Sequence, residues 1–144
     1  MKIVKLLSTV ILSVGVAGSA LAANETMLMK CGASSGKAYF FNGEGWINDT
    51  IKDGQIILIG NAGGVEGEYD IRFTDAFGAK GYVSDGAAVF LAGSDRGKFS
   101  FIAAHSNYTA QYTFDVTRNE VLWTSHKTGT IVQKVGLYYA ECEG

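Results

Sequence analysis

Hydrophobic and polar positions alternate along much of the chain. Tyr69, Ile71 and Phe73 alternate with Glu68, Asp70, Arg72 and Thr74. Tyr108, Ala110, Tyr112, Phe114 and Val116 alternate with Thr109, Gln111, Thr113, Asp115 and Thr117. A period of two places one set on each face of a β-strand. Further strands are expected at Lys37–Phe41, Gln55–Gly60, Lys80–Ser84, Ala87–Ala92, Lys98–His105, Val121–Ser125 and Lys134–Glu141. Turn pairs separate them, among them Asn42-Gly43, Asp53-Gly54, Gly63-Gly64, Phe77-Gly78, Asp85-Gly86, Arg118-Asn119 and Thr128-Gly129, mostly at intervals of about ten residues. No segment carries a sustained helical period, and Asn48–Lys52 suffices for one helical turn at most. Connections this short favour antiparallel hairpins, because a parallel crossover needs a dozen residues or more. The pattern predicts an all-β domain: an antiparallel meander barrel of about eight or nine strands, with a β-sandwich as the alternative.

Two runs break the alternation. Ile56-Ile57-Leu58-Ile59 and Ala87-Ala88-Val89-Phe90-Leu91 are apolar on both faces. Their outer faces call for cover, from other parts of the chain such as the loop carrying Trp46, or from a partner. Two such strands side by side suit a twofold homodimer through Ile56–Ile59 and Ala87–Leu91.

The first residues have a different pattern. Lys2 and Lys5 precede an apolar or small run from Leu6 to Ala17, and Ala20-Leu21-Ala22 gives a small-x-small cleavage site. This is the layout of a secretory signal peptide. A membrane span needs about 20 apolar residues, and this run is shorter and breaks at Gly18-Ser19. The chain is thus expected to divide into a signal peptide, residues 1–22, and a single all-β domain, residues 23–144, located in the periplasm or secreted by a bacterium. Asn24, Asn48 and Asn107 each begin an Asn-x-Thr sequon, but a bacterial leader implies that they carry no glycan. Lipidation at Cys31 is rejected, because Cys31 follows Met29-Lys30, well past the cleavage site.

Composition narrows the function classes. The formal net charge is −2, and removal of Lys2 and Lys5 makes the mature chain more acidic. With no basic run, it lacks the electrostatic footprint of a nucleic-acid or anionic-lipid binder. The two cysteines, Cys31 and Cys142, stand at opposite ends of the mature domain. In an oxidising compartment such a pair reads as a disulfide, which brings the first and last strands together.

His105 and His126 stand at no metal-ligand spacing from each other or from a cysteine, so no metal is assigned. His105, Ser106 and an aspartate are the parts of a triad without its nucleophile elbow. Gly32-Ala33-Ser34-Ser35-Gly36-Lys37 is one residue short of a phosphate loop and has Ala38 where a magnesium ligand is needed, so it reads as a glycine-serine turn leading into a strand. Asn48-Asp49-Thr50-Ile51-Lys52-Asp53-Gly54 misses the calcium-loop pattern at Lys52. No cofactor is implied. The aromatic residues, among them Tyr39, Phe40, Phe73, Phe99, Phe101, Tyr112, Phe114, Trp123, Tyr138 and Tyr139, fall mostly on alternating strand positions and are read as core.

Cys31-Gly32-Ala33-Ser34-Ser35-Gly36 with Tyr39-Phe40-Phe41, together with Val121-Leu122-Trp123-Thr124, Lys127, Gly129, Ile131, Lys134 and Cys142, resembles a set of small exported proteobacterial proteins of unassigned function. The resemblance spans nearly the whole mature domain and implies export and the Cys31–Cys142 bridge. It implies no activity. Leu122-Trp123-Thr124 is also similar to the tryptophan strand of the bacterial inhibitors of C-type lysozyme, which are small periplasmic β-barrels; their Ser-Gly loop has no counterpart here.

The expected function is an exported, non-catalytic binding or interaction module that takes a small apolar ligand or a protein partner. The alternative is an envelope structural or stress-related protein that assembles through its outer apolar strands. An enzyme using carboxylates or His105, or a lysozyme-inhibitor-like role, has only those residues or that short likeness behind it.

Overall fold

A computed structural model describes residues 22–144. The signal peptide read from the sequence lies outside the described residues, except for Ala22. Ten strands form one sheet: β1 (Thr26–Phe40), β2 (Gly45–Asn48), β3 (Gln55–Gly60), β4 (Tyr69–Asp75), β5 (Gly78–Gly81), β6 (Ala88–Asp95), β7 (Lys98–His105), β8 (Tyr108–Asp115), β9 (Glu120–Lys127) and β10 (Lys134–Cys142). The pairings are antiparallel, in the order β5-β4-β3-β1-β10-β9-β8-β7-β6, with β2 against the far half of β1. Apart from β2, the β1–β10 junction and the break between β5 and β6, which end the sheet on opposite sides, strands adjacent in the chain are adjacent in the sheet. The sheet curls into a half-barrel, so the meander is formed and the two-sheet sandwich is not.

The first and last strands meet as the cysteines require. Cys31 and Cys142 face each other across β1 and β10 and are bridged, closing a loop of sequence separation 111. Fully buried Phe101, Phe114, Ile71 and Val121 fill the concave face. The half-barrel has one seam. Its ends, β5 and β6, are joined by a turn over residues 82–87, in which the Ala87 amide donates to the Tyr82 carbonyl at 2.9 Å. The turn is pinned to β4: the Tyr82 amide donates to the Ile71 carbonyl and the Val83 amide to the buried Asp70 carboxylate.

Several local expectations are corrected. Gly32–Lys37 is not a turn: β1 runs straight through it for 15 residues, with an irregularity between Cys31 and Ser34. Glycine and serine mark turns when no neighbour pairs with them. Here β10 lies along one edge from Ser34 onward, while on the other Ile51 bridges to Ser34 and the Asp49 amide donates to the Gly36 carbonyl, between the end of β3 pairing at Cys31 and the start of β2 pairing at Lys37, and this pairing overrides the local preference. Asn48–Lys52 forms no helical turn, and Ile51 instead bridges to Ser34. The strand expected at Lys80–Ser84 ends at Gly81, and β2, only four residues long, was not foreseen.

The two doubly apolar runs have different outcomes. In β3, Ile56 and Leu58 point into the core and Ile59 is also covered. Ile57 lies on the outer side in register with Arg72. The chain's own start borders that side, where Ile57 is half-buried: the Ala23 amide donates to the Gly64 carbonyl, and Glu25 takes both the Gly63 amide and Arg72. Trp46 does not provide this cover, being 68% exposed. At β6, Ala87 just before the strand and Val89 within it are buried, whereas Phe90 and Leu91 remain exposed at the end of the sheet.

Candidate functional site

Strand β9 turns Val121, Trp123, Ser125 and Lys127 to the concave side. Along this one face the lining changes from apolar at the bottom to charged at the mouth. Trp123 is in register with Tyr112 of β8 and Tyr138 of β10, so the three rings stack across the wall. Trp123 lies 5.4 Å from Tyr112 and 5.2 Å from Tyr138, with planes inclined by 11° and 22°. Cross-strand aromatic pairs of this kind stabilise a sheet beyond the area they bury.

Two glycines make room for the end of the stack. A Cβ at Gly36 would lie 2.6 Å from the Tyr138 ring and 2.2 Å from the Leu137 carbonyl oxygen, and one at Gly136 would lie 2.2 Å from the Tyr138 hydroxyl oxygen. With those positions bare, Tyr138 lies across them and its hydroxyl donates to Asp49 at 2.8 Å. Asp49 also pairs with Lys134, whose ammonium stands over the rings of Phe40 and Tyr138. Burial, and donation to Asp49, push the Tyr138 phenol far above its ordinary range.

From the seam, Tyr82 reaches across the interior until its hydroxyl meets that of Tyr112 at 2.7 Å. Burial pushes Tyr82 up to about 12 and Tyr112 well above the usual phenol value, so both stay protonated. Tyr108 donates to Asp85 and stacks on His105 at 4.9 Å.

Between these groups lies an inner recess of about 80 Å³, bordered by Ser34, Asp49, Trp123, Ser125, Lys127 and Tyr138 among others. That space holds a few water molecules or one small chemical group. An outer recess of about 360 Å³ shares Phe73, Asp75, Tyr82 and Lys127 with it and is rimmed by Lys80, Asp85, His105 and Tyr108. Its volume falls in the range of small-molecule sites, about 300–1,000 Å³.

The polar groups here divide into engaged and open. Asp49, Lys134, Tyr82, Tyr108, Tyr112 and Tyr138 bond to one another as described. The Asp75 carboxylate accepts the Phe77 amide of its own hairpin. By contrast, Ser34 and Ser125 are only 5% and 6% exposed, yet their hydroxyls have no hydrogen-bond partner among the described residues. Neither oxygen is sealed off, since no fully enclosed side-chain polar atom lacks a partner. Lys127 is half-buried and forms no ion pair among the described residues. It lies in register between Tyr108 and Lys134, and burial, then the Lys134 charge, lower its affinity for the proton.

The residues examined in the sequence take up different places. His105 is at the mouth, but its Nδ1 accepts the Asn107 amide at 3.2 Å, which occupies the nitrogen that a triad aspartate would orient. His126 is exposed on the convex face of β9. Among the described residues, no three His, Cys, Asp or Glu side chains gather as a metal site. The sequence reading missed Asp49, Tyr82, Lys127 and Lys134 as a group. One clue to them was present: Ser125 and Lys127 continue the inward face begun by Val121 and Trp123, and polar residues on an inward face mark a lined space rather than a packed one. No protein-family model matches this chain, and no curated protein or solved structure matches it either.

Proposed function

We propose that this domain is an exported, non-catalytic binding module whose small ligand enters the concave recess. The observation that carries the reading is the set of open polar groups, Ser34, Ser125 and Lys127, at the mouth of an otherwise filled aromatic interior. These groups are open to the recess, so water satisfies them in the empty domain and the polar end of a ligand can take the place of that water. Because these groups line the cavity, the ligand is amphipathic rather than purely apolar. Placement outside the cytoplasm rests on the disulfide and on the leader; no helix among the described residues is long and apolar enough to cross a membrane.

A thermal-shift screen of small planar molecules, each at millimolar concentration, tests the reading. A ligand at 100 times its Kd adds about 2.7 kcal/mol of stability, enough to raise the Tm by several degrees for a domain of this size. A screen with no stabilising compound would overturn the recess as a binding site.

A second reading, assembly through the convex face, has its own observation. Trp46, Phe41 and Leu137 are 68%, 55% and 57% exposed. Trp46 is in register with Tyr39, while Leu137 lies beside Tyr139 on β10. These exposed residues, rather than the mostly buried Ile56–Ile59, offer an apolar surface, and Phe90 and Leu91 of β6 are exposed as well. Sedimentation velocity on the wild type and on Trp46→Lys separates this reading from a monomeric binder.

A further inference from the structure

Four facts about the mouth constrain what it can hold. Lys134, opposite Lys127 on β10, already has Asp49 as its counter-ion. Of the other acids at this level, Asp75 takes the Phe77 amide and acts on Lys127 through its charge without forming an ion pair with it, and Asp85 takes the Tyr108 hydroxyl. Lys127 therefore presents an ammonium with three donors and no ionic partner among the described residues. Two positions inward on the same face of β9 stands Ser125, a residue more than nine-tenths buried that borders the same recess and has no hydrogen-bond partner for its hydroxyl among the described residues. A group that accepts from both has to be an anion or a strong acceptor, and it has to be small, because the inner recess measures about 80 Å³. The rest of the molecule would then lie in the larger outer recess against Phe73 and Tyr82, which asks for a flat apolar body.

We propose that the ligand is a small molecule with an anionic head group of the carboxylate class and a flat apolar body, the head group held by the Lys127 ammonium and the Ser125 hydroxyl. This inference rests on the recess reading above but specifies more than it does. Direct hydrogen bonds from an ammonium to a carboxylate are about twice as strong as neutral ones, so the charge of the head group should dominate selection.

Three probes that share one ring and differ only in the head group test this: benzoate, benzyl alcohol and benzylamine. Their binding to the disulfide-intact mature protein is measured by isothermal titration calorimetry, with Lys127→Met, Lys127→Arg and Ser125→Ala as variants whose folding is verified by circular dichroism. Benzoate should bind about tenfold or more tightly than benzyl alcohol, the size of one charge-assisted hydrogen bond, and benzylamine should bind most weakly. Lys127→Met should remove the preference for benzoate, Lys127→Arg should keep most of it, and Ser125→Ala should weaken benzoate more than benzyl alcohol. If Lys127→Met does not fold, Lys127→Gln replaces it, and the wild-type order of the three probes remains decisive without any variant. Equal affinity for benzoate and benzyl alcohol would overturn the anionic head group while leaving the recess reading intact. A benzoate preference that survives in folded Lys127→Met would overturn the role of Lys127. If none of the three binds although the broader screen finds ligands, the inference fails alone; if the screen finds nothing, both fail.

Discussion

Reducing the Cys31–Cys142 bridge is the perturbation whose size follows most directly from the fold. The bridge closes a loop of sequence separation 111. For a loop of roughly 100 residues, loss of chain entropy in the unfolded state corresponds to about 4.7 kcal/mol. In the folded state the two cysteines are already opposite each other in the β1–β10 ladder, which continues from Ser34 and Ala140 to Phe40 and Lys134 without the sulfurs. The native sheet should therefore persist after reduction, and the cost should fall on the folding equilibrium. Single domains are stable by about 5–15 kcal/mol in total, so the loss is a large share of the whole. With a urea slope of about 1–3 kcal/mol/M, the midpoint should fall by about 1.6–4.7 M with little change in slope beyond that expected from a more expanded unfolded chain. Urea titrations of oxidised protein and of Cys31→Ser/Cys142→Ser, followed by far-ultraviolet circular dichroism, measure it. A midpoint shift under about 0.5 M would refute the argument that this closure acts through the unfolded chain. Loss of all native sheet in the double serine variant under stabilising conditions would refute the claim that the β1–β10 pairing stands without it.

Other outcomes follow from single side chains. Asp115 accepts from the Thr117 hydroxyl at 2.6 Å and from the Thr117 and Arg118 amides, and pairs with Lys98; these contacts, the Thr117 hydroxyl first, hold its carboxyl down to about 2 from an ordinary 3.8. A lowered carboxylate contributes stability above its unfolded pKa and loses it as the pH falls through the folded one, so Tm should drop between about pH 4 and pH 2, and Asp115→Asn should flatten that limb. Leu58→Ala, at a core position 4% exposed, should cost about 2–5 kcal/mol in urea titrations, whereas Ile57→Lys on the outer side of β3 should leave a folded domain. Gly36→Ala should displace the Tyr138 ring and break its bond to Asp49, visible as a changed near-ultraviolet spectrum of the Tyr112–Trp123–Tyr138 stack. His126→Ala should leave both fold and ligand binding unchanged, because the ring lies on the convex face.

Strands with one apolar face were legible in the sequence, because a period of two has few other readings; β4, β7, β8, β9 and β10 lie close to where the alternation put them. The bridge was legible for the same kind of reason, since two cysteines in an oxidising compartment have little else to do. What failed was local turn chemistry overridden by pairing. Gly32–Lys37 carries the composition of a turn, but there β1 pairs with β10 on one side and with the Asp49–Ile51 stretch on the other. Gly36 is needed not for a turn but because Tyr138 occupies the space its side chain would fill. The recess was harder to read, since it is assembled from β1, the stretch after β2, the seam turn, β9 and β10, and no spacing along the chain records that meeting. Tyr82 shows the difficulty: it lies beyond the end of β5, in a turn, and gains its partner only because the half-barrel curls until Tyr112 faces it.

The two tryptophans report most directly on whether a ligand enters the concave recess. Trp123 is 9% exposed and lines the recess, while Trp46 is 68% exposed on the convex face. Each has one indole N–H, so a proton–nitrogen correlation spectrum carries one reporter for each face. Titration with benzoate, or with the best compound from the thermal-shift screen, should move the Trp123 indole signal saturably and leave that of Trp46 in place. A saturable shift of Trp46 with Trp123 unmoved would place binding on the convex face and contradict the account.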